Sequence, residues 1–391
     1  MRVMADAELL DGSGLAGSLL AGLLTYDGIQ LWRYADDGPP PGTPQLLSAS
    51  GQSVAAGWAV VKPATPANPS THTLAWAVGQ YAYQAGLLGE PVLAASTDQH
   101  SKAYAALQPD QAAARRTADA LAACAARQIK ADLYVTGREY LHPVTRPIGR
   151  GVTICTPREA LALAGLYLRT QGEFLTWKDP GRGTAGRLDK GMYYWVGARE
   201  LLPAGWRWYS ACVAHAAGQP LTSEAHDLTY LGGTVFQRIA RVLQARDNLL
   251  RAMNSKQDNN TAEDALTALD TCLLFLMGAL DAAARVAHRV LGLPAGRVRD
   301  AGWQRRGWLR DVASKEPALA AVVAEGTAQA GTLIILSRLR NTVHTAGLRA
   351  LAIGPPSTTG LDLGVAPCLR LAVVGSLRHG VFCCGASASS C

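Results

Sequence analysis

Long hydrophobic runs are missing from this chain. The strongest, Cys272 to Leu280, is about half the ~20 residues a helix needs to cross a bilayer, so no membrane association is expected. The start lacks the basic, apolar pattern of a secretory signal and carries Asp6, Glu8 and Asp11 instead, which makes cytoplasmic residence the expectation. Cys-x-x-Cys pairs are absent. The eight cysteines stand singly except for Cys383 and Cys384, which excludes the common zinc and redox spacings and reads as reduced thiols. No Gly-x-Gly-x-x-Gly follows the first strand, and there is neither a phosphate loop ending in Gly-Lys nor a Gly-x-Ser-x-Gly elbow, which argues against dinucleotide binding, P-loop chemistry and hydrolase triads. Charge is scarce too, at 17% against 49% hydrophobic residues, a balance that builds cores and not disordered chains.

What remains is enough for two domains: 391 residues exceed one typical core. The net charge of +7 favours anionic partners without choosing among them, and serves plain solubility equally well. Residues 1–172 read as a three-layer α/β domain, PIN-like or Rossmann-like. Its expected elements are a strand at Arg2 to Leu10, a small-residue helix at Gly14 to Leu24, a loop at Asp36 to Pro44 and another at Pro63 to Ser70. A helix at Thr73 to Leu88, a strand at Pro91 to Ala95 and a helix at Asp110 to Lys130 come next. Ala131 to Thr136 is apolar and partly β-branched, a buried parallel strand. Val152 to Cys155 is another strand, and Thr156-Pro157-Arg158-Glu159 is a capping box opening a helix to Thr170. Residues 173–223, rich in Trp and Gly, read as an irregular connector. Residues 224–352 read as an all-α bundle, with helices at Val235 to Met253, Ala262 to Leu291, Arg305 to Ala313 and Pro317 to Leu351, the last broken near Gly331. Residues 353–391 form a low-complexity tail.

In Ser337 to His344, Leu336, Leu339 and Val343 share one helical stripe, while Arg340 and His344, four residues apart, sit on a neighbouring face. A permanent guanidinium beside an imidazole can hold a phosphodiester and move a proton on a 2′-hydroxyl. Asn341 adds a donor and an acceptor. Arg-Asn-x-x-His after a long helix resembles the HEPN superfamily. That resemblance implies a homodimer cutting RNA without a cofactor, in the manner of toxin-antitoxin and phage-defence proteins held by a cognate inhibitor, or else an inactive partner-binding module. Arg340 leaves fewer residues before His344 than the family motif does, whereas Arg338 leaves five but lacks the following polar residue. Acidic partners orient the arginine in that superfamily, which implies Asp270 or Asp281 here. Arg297, Arg299, Arg305, Arg306 and Arg310, interleaved with Trp303 and Trp308, offer cations for phosphates and rings for stacking bases; a solvated helix face with two core tryptophans explains them equally well.

In the α/β half, Asp6, a helix carrying Asp119, and Asp132 ahead of the strand ending in Thr136 follow the element order of PIN-like nucleases. That resemblance implies Mg or Mn held by Asp6, Asp119 and Asp132. The chain departs from it at Thr136-Gly137-Arg138, where a cation stands in place of a carboxylate and weakens metal binding.

Overall fold

The computed structural model describes residues 1–10, 19–20, 22–24, 26, 28–35, 46–47, 53–54, 57–65, 68–78, 82–88, 104–141, 152–179, 184–255, 258–345, 349–352 and 359–362. The chain divides into two compact units, Met1–Leu188 and Asp189–Cys391. The loop expected at Asp36 to Pro44 and the strand expected at Pro91 to Ala95 lie outside the described residues.

Unit 1 opens with β1 (Arg2–Asp6), the short α1 (Ala7–Leu10) and β2 (Gln30–Ala35); the small-residue helix is seen at 19–20 and 22–23. A minor antiparallel pair, β3 (Leu46–Leu47) and β4 (Ser53–Val54), precedes β5 (Gly57–Thr65), β6 (Asn68–Val78) and β7 (Ala82–Leu88). Then come α2 (Pro109–Gln128), β8 (Leu133–Val135), β9 (Thr153–Cys155), α3 (Pro157–Thr170) and a hairpin of β10 (Leu175–Asp179) and β11 (Thr184–Arg187). The sheet order is β7-β6-β5-β2-β1-β8-β9. Its β5-β2-β1-β8-β9 part is parallel, and β6 and β7 add antiparallel strands. β1 is apolar on both faces because both are covered. Met4, Trp32 and Tyr34 pack on the side of α2, while Val3, Ala5 and Leu31 pack on the side of α3. That is the expected helix-sheet-helix layering.

Two local expectations are corrected. Thr73 to Val78 and Ala82 to Leu88 are strand and not helix, and the described residues of the loop expected at Pro63 to Ser70 belong to β5 and β6, with Thr65 paired to Asn68. Burial from His72 to Ala75 alternates in the period of a strand. The capping box holds as read: the Thr156 hydroxyl accepts from the Glu159 amide and the Glu159 carboxylate accepts from the Thr156 amide.

Unit 2 is helical from its first residues, so the irregular connector is also corrected. Asp189 caps α4 (Lys190–Leu201) by accepting from the Met192 amide, and Pro203 opens α5 (Pro203–Ala216). Trp195, Trp206, Tyr209 and Phe236 pack ring against ring, with centroids 5.5–6.3 Å apart, and so fasten these helices to α6 (Glu224–Asn254). α7 (Asn259–Val290) runs beside α6, where Gly278 lets the Arg238 guanidinium reach its carbonyl. By length and composition α7 is also apolar enough to cross a membrane, and 33% of its most apolar window is buried. After a 3-10 turn (Ala295–Asp300) come α8 (Arg306–Lys315), α9 (Pro317–Val322) and α10 (Ala328–Thr345). The break in the last helix falls at Gly326, whose φ of +89° is left-handed, and not at Gly331; the Thr327 hydroxyl then caps the Ala330 amide. α10 stops at Thr345, short of the expected Leu351. Within the expected bundle and tail, β12 (Arg349–Ala352) pairs with β13 (Thr359–Asp362).

Candidate functional site

α10 packs against α7 through Leu339, Ile335 and Leu336 on one side and Leu266, Leu269 and Leu273 on the other. This seam comes from the apolar stripe read in the sequence. Arg340, next to buried Leu339, is half-buried at the edge of the seam, whereas Arg338 and Asn341 are exposed. His344 lies one turn on along the same helix by its backbone, and its side chain lies outside the described residues. Between Glu325 and Asp362 the chain has no carboxylate. Neither Asp270 nor Asp281 pairs with Arg340 among the described residues. Asp281 is exposed. Asp270 is half-buried, with its Oδ1 enclosed and without a hydrogen-bond partner among the described residues. Desolvation, aided by Glu263, raises its pKa.

The expected RNA-stacking patch is largely core and ion pairs. Trp308 is 1% exposed and Trp303 stands edge-on to it at 5.2 Å, giving its indole N–H to the Leu280 carbonyl. The Trp308 N–H donates to His288 Nδ1 at 3.1 Å, and His288 Nε2 lies 3.0 Å from the Pro294 carbonyl. That pairing fixes a buried neutral imidazole with its proton on Nε2. Arg297 is tied to Asp311 at 2.7 Å and Arg305 to Asp300 at 3.3 Å. Arg299, Arg306 and Arg310 are exposed, with no ion pair among the described residues.

In unit 1 the three candidate metal ligands do not converge. Strand register sets Asp132 beside Arg2, where it accepts from the Arg2 amide, and Asp6 beyond Val135 at the opposite strand ends, about 13 Å away at 3.3 Å per residue. Asp6 and Asp119 do share a site, but a guanidinium lies between them. Arg138, 12% exposed, reaches Asp119 at 3.3 Å and Asp6 at 3.9 Å. Asp6 also accepts from the Tyr134 and Thr136 hydroxyls at 2.7 and 2.6 Å, and Asp119 from the Tyr104 hydroxyl at 2.8 Å. Burial raises the Asp6 pKa, against those two hydrogen bonds and the Arg138 charge. These carboxylates have few lone pairs left for a metal ion, and the place between them is filled by a cation, so the residues present do not fit Mg or Mn.

The sequence reading passed over Arg115, Arg116 and Tyr104. Arg115 and Asp119 are four apart on α2 and meet at 3.4 Å, a spacing that was visible. Tyr104 lies outside any motif.

The fold thus defines a protein of one mixed α/β unit and one mostly helical unit, with Arg138 and Arg340 at their respective candidate sites. No protein-family model, curated protein or solved structure matches the chain.

Proposed function

We propose that this chain is an RNA-binding protein of the metal-independent ribonuclease type, with a HEPN-like helical unit acting through Arg340 and His344. The α/β unit is PIN-like and works without divalent metal. The observation that supports this best is the isolation of Arg340. It is half-buried on a helix without carboxylates and makes no ion pair among the described residues. Elsewhere in the unit, Arg246, Arg289, Arg297 and Arg305 are each paired with acids, while Arg299, Arg306 and Arg310, unpaired among the described residues, are exposed where Arg340 is half-buried. An unneutralised guanidinium binds a phosphodiester's non-bridging oxygens. An imidazole one turn away accepts the 2′-hydroxyl proton as the 2′-oxygen bonds to phosphorus and the 5′-oxygen leaves. The thinly covered α7, together with exposed Leu274 and Ile334, suits a homodimer. Such a toxin-type or phage-defence protein works in the cytoplasm and is restrained by an inhibitor protein.

Incubation of the protein with labelled RNA in EDTA tests the reading. Wild type cleaves, and His344→Ala and Arg340→Ala lose about a hundredfold or more, the usual scale for an acid-base group. No cleavage by wild type, or equal cleavage by His344→Ala, ends the catalytic claim.

The missing Asp270–Arg340 pair and the inward-facing tryptophans favour a second reading, a non-catalytic dimerisation or partner-binding module. On that reading the two substitutions change nothing, and Leu339→Asp alone disrupts assembly through the α7–α10 seam.

A further inference from the structure

The ends of β1 and β8 carry a second grouping that stands independently of the RNA reading. From β1 the chain goes to β2 and β5 on one side, then returns to β8 and β9 on the other. The β1–β8 boundary is therefore a topological switch point, where open α/β sheets leave a ligand crevice beyond the carboxyl ends of the strands. Asp6 ends β1, and Thr136, Gly137 and Arg138 follow β8 at that place. From the second turn of α2, Arg115 pairs with Asp119, and Arg116 lies over the ring of Tyr104, whose hydroxyl donates to Asp119.

Two guanidiniums, Arg115 and Arg138, thus pair with the buried carboxylates and a third, Arg116, lies over Tyr104, while Glu8 and Glu139 stand exposed. The acceptors are nearly used up. Both Asp6 oxygens take a hydroxyl, and the Asp119 oxygens take Tyr104 and Arg138. Donors are in surplus, because each guanidinium carries five N–H groups. Among the described residues the enclosed Nε of Arg116 has no hydrogen-bond partner, and that of Arg115 has only its 3.4 Å ion pair with Asp119. Aromatic rings hold both groups in place: Arg115 lies 5.6 Å from the Tyr140 centroid and Arg116 5.1 Å from that of Tyr104, with the two rings themselves 4.7 Å apart. A cluster whose buried acceptors are used up and whose oriented donors are in surplus complements a phosphate and repels a metal ion. Arg115 is 41% exposed, and the face of its guanidinium turned away from Tyr140 offers a plane on which a base can stack.

We propose that the switch-point crevice is a nucleotide site, in which Arg115 and Arg116 bind the phosphate and the outer plane of Arg115 carries the base. Arg138 positions the site by holding Asp6 and Asp119. The test is calorimetry and thermal denaturation of the full chain with a nucleoside monophosphate, the matching nucleoside and inorganic phosphate, at constant ionic strength. The monophosphate binds and raises Tm, inorganic phosphate competes with it, and the nucleoside alone binds at least about tenfold more weakly. Arg115→Gln with Arg116→Gln, both at partly exposed positions, lowers affinity about tenfold or more, the scale of losing a charge-assisted hydrogen bond. Should that double variant fail to fold, Arg116→Lys serves instead, keeping the charge, losing the planar fork and weakening binding severalfold. The proposal is overturned if wild type binds no monophosphate, if nucleoside and monophosphate bind alike, or if the folded variant stays within about twofold of wild type. Because the readout is nucleotide binding and not RNA cleavage, this result and that of the RNA assay fail separately.

Discussion

Arg138 and Arg340 are the same residue in opposite surroundings. Arg138 lies between Asp6 and Asp119, which are 4% and 0% exposed, and its charge is spent inside the fold. Arg340 stands at the edge of a helix seam, in a stretch without acids, and makes no ion pair among the described residues. Burying a carboxylate costs several kcal/mol unless a cation is buried with it. A guanidinium with one side in water needs no such partner, since its stem packs while its head stays hydrated. Whether an arginine is structural or available thus depends on where the carboxylates are, and overall charge says little about it.

The largest expected effect breaks this contrast directly. Arg138→Met leaves two enclosed carboxylates without their shared cation and costs about 3–5 kcal/mol of stability in urea denaturation. Arg340→Met stays within about 0.5 kcal/mol, because it removes no buried partner. Equal costs for the two would show that Arg340 is as structural as Arg138. Next in size is Trp308→Phe, which takes the N–H from buried His288 Nδ1 and costs about 1–3 kcal/mol. It leaves RNA binding unchanged if Trp308 is core, and a loss of RNA affinity in a fully folded variant would return that tryptophan to the binding surface.

The parts legible in the sequence are those settled by chemistry within a few residues. The Thr156 capping box, the apolar strand before Gly137 and the amphipathic span of α7 each needed only local pattern, and each stands where it was read. Thr73 to Leu88 was misread because its Ala, Gly and Tyr content suits a helix weakly, while its strand form depends on pairing with β5. The stretch from Trp177 to Pro220 looked irregular because rings and glycines dominate it, yet Asp189 and Leu202-Pro203 were already helix-start signals. At the switch point, Arg138 was visible as an intruding cation. Its bridging role was not, because Asp6 lies 132 residues away and Asp119 lies 19 away, on a different element. Spacing along a chain can place a residue on a face, but it cannot say which distant acid that face will meet.

The smallest effect falls on the acid that was expected to serve Arg340. Burial holds the Asp270 pKa above its ordinary 3.8, and no cation among the described residues offsets it. A carboxyl whose folded pKa is raised binds its proton more tightly in the native state than in the unfolded chain. Its contribution to stability is therefore greatest at pH below about 3.8 and is lost as pH rises through that value toward the raised one. Asp270→Asn removes the titration, so the wild type should lose ground to the variant across that window and end a few tenths of a kcal/mol less stable at neutral pH, a small figure because the residue is only half-buried. Urea titrations of both proteins between pH 3 and 7 read the difference. The opposite trend, with wild type gaining on the variant as pH rises, would mean that Asp270 has a cationic partner in solution. If that partner proved to be Arg340, on the facing helix of the seam, it would belong with Arg138 among the arginines spent inside the fold.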